Sequence, residues 1–383
     1  MLNNLKNFFK TDYLLVVYMY VNSFFILKYG ERIYDGFEYG FLFFYVAFIL
    51  LLRLLVKKNA IVINDSKYFF VFFLIASIIM FLLQCLLVFG INGNTVQVDR
   101  WSALQVFIEN ILNGDYPYDK QDHLGKTTSN LPSLFYIGLP FYLINNIGLL
   151  QPFVFVILML FVNKASVSNV KKTMIVLLLL FSPAYWWEVA VKSDLMSNLL
   201  IVTLFIWYWK SKYSKNIFHN SIMLSFWVSF IVLTRGVVAI PLVLLLFHDF
   251  MKLDVLYRVK FLFIVVVFTI LLMIPVLITV PSLDYLLIHN PFNHQTKYAP
   301  IFLIFFSLVA PFLLSKHSTS IYLIQRNSMW ILFLLIFITF IINIYEEGWC
   351  NNIYGIVFDI SYISMILPFI VISYLFQSDY SKT

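Results

Sequence analysis

Long apolar runs alternate with short polar breaks along the whole chain. A membrane-crossing helix needs about 20 mainly apolar residues. The runs near 12–29, 39–56, 68–90, 146–162, 173–187, 195–209, 217–233, 236–250, 260–280, 299–315, 328–345 and 353–376 answer that description. They predict an all-α, polytopic transmembrane helix bundle of about twelve spans, with both termini on one side. No long stretch is free of such runs, so residues 1–383 read as one integral-membrane domain. One break is much longer than the rest, 91–131, and with the segment after it forms an outer loop over 91–145. Within it Trp101, Leu104, Ile108, Ile111 and Leu112 recur at three- and four-residue spacing, which predicts an amphipathic helix over 100–113 lying at the interface. Gly114 is its stop signal and "DYPY" a turn. The next segment, "LPSLFYIGLPFYLIN", is apolar but interrupted by Pro132, Gly138 and Pro140, and is expected to lie along the membrane.

Composition supports this pattern. The chain is 62% hydrophobic and 12% charged, with 42 phenylalanines and a mean hydropathy of +0.88. A soluble fold of this size needs far more polar residues to cover its surface. The net charge of +7 does not point to nucleic acid, because the basic residues sit in short loops between apolar runs. Eighteen of the 26 lysines and arginines fall on the side of the termini, with five of the 19 acidic residues; thirteen acidic residues fall opposite, and Asp359 inside the last run. This asymmetry places the termini in the cytoplasm and the 91–131 loop outside, in a multi-pass protein of the plasma or inner membrane. The first run follows Lys6 and Lys10 and lacks a small-residue cleavage site, so it reads as an uncleaved span. Cys85 and Cys350 say little about redox compartment. The stretch 217–250 would carry Arg235 mid-membrane as one helix, at a cost of about 2.5–3.5 kcal/mol. It would also reverse every later loop, so two short spans meeting at Arg235 are expected.

The candidate chemistry gathers on the outer side. Residues 98–123 hold Asp99, Glu109, Asp115, Asp119 and Asp122 beside Arg100, Lys120 and His123. Asp99 stands where a helix N-cap belongs, and a water-facing carboxylate there also suits a general base. In "SPAYWWEVAVKSDLMSN", Trp186 and Trp187 read as interface-belt residues. Glu188, Lys192 and Asp194 either pair with one another or put Lys192 on an anionic headgroup and Asp194 on a polar substrate. Arg235 is either an interfacial arginine or a phosphate ligand. His289, His294 and Lys297 lie too far apart, with no carboxylate between the histidines, for zinc. A phosphate contact or a pH-insensitive structural role is the better expectation. Glu346 and Glu347 read as a solvated acidic turn. Asp359, about two turns into the last run, needs a partner. No phosphate-binding P-loop, HExxH, Cys-x-x-Cys or GxSxG motif is present.

"VDRWSALQVFIENILNGDYPY" resembles the first large outer loop of bacterial polyprenyl-phosphate-sugar mannosyltransferases of the GT-C superfamily. In those an Asp precedes an amphipathic helix ending in a Gly-x-x-Pro-Tyr turn, matched here by Asp99, Gly114, Tyr116, Pro117 and Tyr118. "SPAYWWEVAVKSDLMSNLL" is similar to their next outer loop, and "LTRGVVAIP" to their arginine-containing pair of short spans, so the likeness covers residues 68–245. It implies transfer of a hexose, mannose foremost, from a polyprenyl-phosphate sugar to a lipid or glycan acceptor on the outer face. Asp99 would be the catalytic base. Lys192, Arg235 and His294 would hold the donor phosphate. Arg100, Tyr116, Tyr118, Glu188 and Asp194 would contact substrate. Arg100 stands where many members carry a second acid, which implies inversion without a metal or other cofactor. The alternatives are a polysaccharide polymerase of the O-antigen or capsule type, and a lipid or sugar transporter or flippase. The expected partners are membrane lipids, the donor and the acceptor.

Overall fold

The computed structural model describes residues 2–34, 36–57, 67–291 and 299–377. Among them every regular element is a helix, and the one β-type contact is an isolated bridge between Gln121 and Thr127. Six helical stretches are long and apolar enough to cross a membrane: Asp12–Ile33 of α1 (Leu2–Ile33), Glu38–Leu55 of α2 (Glu38–Lys57), Phe69–Gly90 of α3 (Lys67–Gly90), Ile147–Lys164, whose regular part is α6 (Leu150–Lys164), α12 (Val255–Leu277), and α15 (Ile321–Glu347). A seventh is counted if α7 (Asn169–Leu180) and α8 (Pro183–Ala190), bent by 58° at their junction, form one span. The helices are those of a multi-pass membrane protein. The remaining expected spans fold as shorter or less apolar helices: α9 (Leu195–Lys212), α10 (Ser221–Val232), α11 (Ala239–Phe250), α14 (Ile301–Leu314), which follows the six-residue α13 (Leu283–Ile288), and a broken last segment of α17 (Ser361–Ser364) and α18 (Leu367–Phe376). Twelve residues of helix rise only about 18 Å, well short of the roughly 30 Å hydrocarbon layer.

Burial separates lipid-facing from central helices. α2, α3 and α12 bury 11%, 22% and 17% of their apolar windows inside the protein, whereas α1 buries 72%. Apolar surface of that extent is compatible with lipid, not with water. The principal core is formed by α1, α6–α9, α11, α15 and α18. Polar contacts mark its two ends. At one end Asp12 pairs with Arg53, Lys172 Nζ donates to the Asn163 carbonyl at 2.8 Å, and Lys171 Nζ donates to the Gln377 carbonyl. This end, where α9 and α11 terminate, is the basic end. The 91–145 layer lies at the other, the loop end.

The layer has its own small core of Leu104, Phe107, Ile108, Ile111, Tyr116, Tyr118, Leu134, Phe135, Ile147 and Val276. Its helices are α4 (Arg100–Asn113) and α5 (Ser133–Leu143). α4 matches the expected amphipathic helix in both bounds. It ends because Gly114 adopts φ 79°, a conformation only glycine takes at no steric cost. The Gly114 amide donates to Ile111 and the Asp115 amide to Asn110, closing the last turn. Gly138 lets α5 press onto α4: a Cβ there would sit 2.7 Å from Ile108 Cδ1. The Ser133 amide donates to the Leu233 carbonyl at 2.9 Å, which fastens the layer to the end of α10. Asp359, expected two turns inside a helix, instead lies in non-helical backbone before α17. The apolar run is interrupted there by the turn following α16 (Trp349–Ile353).

Candidate functional site

Two helix breaks meet under the layer. The first is Val191–Asp194, between α8 and α9. α8 closes with the Lys192 amide on the Val189 carbonyl and the Ser193 amide on Glu188. That closure requires a left-handed residue, and Lys192 takes it with φ 56°. A residue other than Gly or Asn is strained there by roughly 1–2 kcal/mol. The loop is held from α6, where Gln151 Nε2 donates to the Ser193 carbonyl at 2.9 Å. The Lys192 stem lies against Gly148, where a Cβ would come within 2.7 Å of its Cγ. Burial lowers the Lys192 ammonium below its ordinary value, and it has no ion pair or hydrogen bond among the described residues.

The second break is Thr234–Arg235, between α10 and α11, where two short helices meet as the sequence predicts. Asn198, one turn into α9, donates to Thr234 Oγ1 at 3.0 Å. Arg235 pairs with Asp194, and its side chain also faces Asn130 Oδ1 of the layer at 3.4 Å. Both partners are buried, with side chains 11% and 2% exposed. Several side-chain atoms around this pair have no hydrogen-bond partner among the described residues: Asn130 Nδ2, Ser133 Oγ, Ser197 Oγ, Asn198 Oδ1, Arg235 Nε and, nearby, Gln151 Oε1 and Glu188 Oε2. A buried polar atom left unsatisfied costs about 1–3 kcal/mol, so their concentration here marks a place built for water or a polar ligand.

A second charged group adjoins the first. Arg100, at the start of α4, pairs with Asp359 and lies 2.9 Å from Ser361 Oγ. Burial alone would raise the Asp359 carboxyl, but Arg100 and the Ser361 hydroxyl and amide hold it below the ordinary carboxylate range. One turn along α17, Ser364 Oγ sits 2.6 Å from Glu188 Oε1 and 2.7 Å from the Ser361 carbonyl. The short helix α17 thus touches Arg100 with one hydroxyl and Glu188 with another.

Several expectations change at this level of detail. Glu188, Lys192 and Asp194 do not pair with one another: Glu188 is fully buried against Ser364, Asp194 goes to Arg235, and Lys192 has no ion pair among the described residues. Spacing of four and two places them on one helical stretch, but the turn at Lys192 throws them in different directions. Arg235, expected either at the interface or on a phosphate, is paired with Asp194. Arg100, expected on substrate, contacts Asp359 and Ser361. Tyr116 and Tyr118, expected on substrate, are buried, and their hydroxyls donate to the carbonyls of His289 and Asn130. Burial pushes the Tyr116 phenol up to about 12, so it stays a donor at neutral pH. Asp99 begins α4 without capping it; its carboxylate makes no side-chain cap bond and pairs with the exposed Lys126 at 3.1 Å. Asp99 is one quarter exposed, open to solvent at the rim. Trp186 is held by its Nε1 donating to the Leu180 carbonyl, and Trp187 packs on Phe25 and Tyr29 of α1. His294 and Lys297 lie outside the described residues. Among the described residues no group of three or more His, Cys, Asp or Glu is arranged to hold a metal ion.

Some site residues had no mark in the sequence. Asn130, Ser133, Ser361 and Ser364 are common polar types in short segments. Asn198 carried a weak signal, as a polar residue one turn after Asp194 in an apolar helix. His123, singled out in the sequence with the charged residues of 98–123, has its ring nitrogens 2.7 Å from Ser102 Oγ and 3.1 Å from the Val96 carbonyl, which ties the loop to the first turn of α4. No family model, no curated protein and no solved structure matches this chain.

Proposed function

We propose that the protein is a membrane glycosyltransferase of GT-C type, moving a hexose from a polyprenyl-phosphate sugar to a lipid or glycan acceptor at the loop end. The observation that carries this reading is Lys192. It is a cation with no hydrogen bond or ion pair among the described residues, in a strained backbone position beside a buried cluster rich in unsatisfied polar atoms, beneath an amphipathic helical layer. Strain of this kind persists where surrounding structure holds it, and it collects at ligand sites. An ammonium there suits a lipid-linked phosphate, whose charge grows as the sugar leaves. The helices alternate between the basic end and the loop end, short ones included, which supports twelve passages with the layer outside the cytoplasm. Short helices would leave the membrane thinned or hydrated beside the cluster.

In this reading the acceptor hydroxyl oxygen attacks the anomeric carbon and its proton passes to the Asp99 carboxylate. The sugar–phosphate C–O bond breaks, and its electron pair leaves on the polyprenyl phosphate, with inversion at the anomeric carbon. Lys192 stabilises the departing phosphate. The Asp194–Arg235 and Arg100–Asp359 pairs act as positioning groups that hold the two helix breaks and α4 against one another. The test is transfer by the purified protein from a short-chain polyprenyl-phosphate mannose, read as released polyprenyl phosphate. Asp99→Asn is expected to lower it by about 10²-fold or more, the usual worth of a general base. Near-full transfer by Asp99→Asn overturns Asp99 as base. Failure of the wild-type protein to release polyprenyl phosphate from this or any other sugar donor overturns the function.

A further inference from the structure

α9 and α11 both leave the candidate site and run to the basic end, and α9 alone rises about 27 Å over its 18 residues. Where they finish there is a cavity of about 420 Å³, separate from everything described above. Lys210, Lys215, His248, Asp249, Lys252 and Thr319 are among the residues lining it. We propose that this cavity binds the phosphate of an anionic ligand.

The charges in it do not cancel. Lys252 pairs with Asp249 at 2.8 Å, while Lys210, Lys215 and His248 have no hydrogen bond or ion pair among the described residues. Cations near helix C-termini are stabilised by the dipole. That accounts for a basic residue ending each helix. It does not account for three lysines brought from two helices and the following turns into one concave space, at a cost in mutual repulsion. The far wall adds to the field: Thr319 directly precedes Ser320, whose hydroxyl caps the 27-residue α15 by accepting the Leu323 amide at 3.2 Å. The positive end of α15 therefore borders the same space. The volume falls within the range of small-ligand sites and exceeds what one phosphate needs. Lysines bind such a group as point charges from several directions. The same chemistry serves a phospholipid headgroup entering from the membrane and a soluble phosphorylated molecule entering from the aqueous side. The inference does not depend on the proposed transferase activity.

The test uses the full chain purified in an uncharged detergent, with two probes, inorganic pyrophosphate and dioctanoyl phosphatidylglycerol, each titrated against the melting temperature. The wild-type protein is expected to show a saturable rise with at least one probe. A rise with pyrophosphate identifies a soluble phosphorylated ligand; a rise with the lipid alone identifies a headgroup. The double variant Lys210→Gln/Lys215→Gln is expected to weaken that response about tenfold or more, since it removes two point charges that would face the phosphate. Lys215→Gln alone, at an exposed position, gives a smaller loss and guards against misfolding of the double variant. Lys164→Gln, exposed and away from the cavity, should respond as wild type. No rise with either probe, or an unchanged response in both lysine variants, overturns the proposal.

Discussion

Removing one member of the Asp194–Arg235 pair should destabilise the protein far more than removing both. The pair is enclosed, with side chains 2% and 11% exposed, and its outer flank is closed by Asn130. Arg235→Gln leaves the Asp194 carboxylate without its ion-pair partner and with almost no water, and breaking a buried pair in this way costs about 3–5 kcal/mol. Asp194→Asn should fall at the lower end of that range. The guanidinium it strands is slightly more exposed and keeps Asn130 Oδ1 within reach. The double variant Asp194→Asn/Arg235→Gln carries two neutral amides of fitting size and should lose less than either single change. The coupling energy from the cycle is then about 3 kcal/mol or more. It is measured by unfolding the purified protein with increasing mole fraction of SDS in mixed micelles, comparing the four proteins. Additive single effects, with a coupling below about 0.5 kcal/mol, would refute the buried pair, because residues not in contact add within that margin. Transfer measured on the same four proteins separates two roles. If the pair only positions the helix breaks, the double variant regains activity along with stability.

The other predictions are more local. Lys192→Gly should relieve the left-handed strain and melt at or above the wild-type temperature, whereas Lys192→Gln keeps the strain; both should lose transfer, so a stabilised but inactive glycine variant distinguishes a phosphate contact from a structural lysine. Gly138→Ala should destabilise the layer by about 1–3 kcal/mol through overpacking against Ile108 and Leu104, read as faster proteolysis within 91–145. Asp359, held below its ordinary value of 3.8, contributes its full stabilising share above that pH and loses it as pH falls through the depressed value. Melting of the wild type should therefore drop more steeply than that of Asp359→Asn on acidification below about pH 4, and parallel curves would remove Asp359 from the linkage.

How much of this was legible depends on whether the signal is local. The α4 helix was readable to the residue, because its apolar spacing and its glycine stop lie within one short segment. The break at Arg235 was readable too, since a central arginine in hydrocarbon forces the choice. The length of the passages was not. Hydropathy counts apolar residues and cannot tell a helix crossing lipid from a shorter one sheltered among neighbours, and α10, α11, α14 and α18 are of the second kind in length. The pairing of the charged groups was hidden for a different reason. Arg100 meets Asp359 across 259 residues, and Asp194 meets Arg235 across 41. Proximity of Glu188, Lys192 and Asp194 in the chain suggested mutual pairing, and one left-handed residue was enough to undo it.

That residue points to the physical logic of the site. Within a membrane protein, irregular backbone survives only where its polar groups are satisfied by protein or face water. Here the irregular segments at Val191–Asp194, at Thr234–Arg235 and before α17 are drawn into one network. Gln151 and Asn198 serve the first two, the Ser133 amide ties the end of α10 to the layer, and Arg100 with Ser361 holds the third. Full-length helices would have needed none of these residues and would have offered no polar cluster. The short helices and the cluster are therefore one feature: each break exposes backbone and charge, and the side chains recruited to hold them bring in the surplus polar atoms left without partners. Asn198→Leu tests that dependence. It removes the bond to Thr234 while preserving helix and volume. Loss of that bond should destabilise the protein by about 1–3 kcal/mol and loosen Arg235 as well, seen as a smaller coupling in the Asp194–Arg235 cycle. An unchanged coupling in the Asn198→Leu background would mean that the two breaks are held independently.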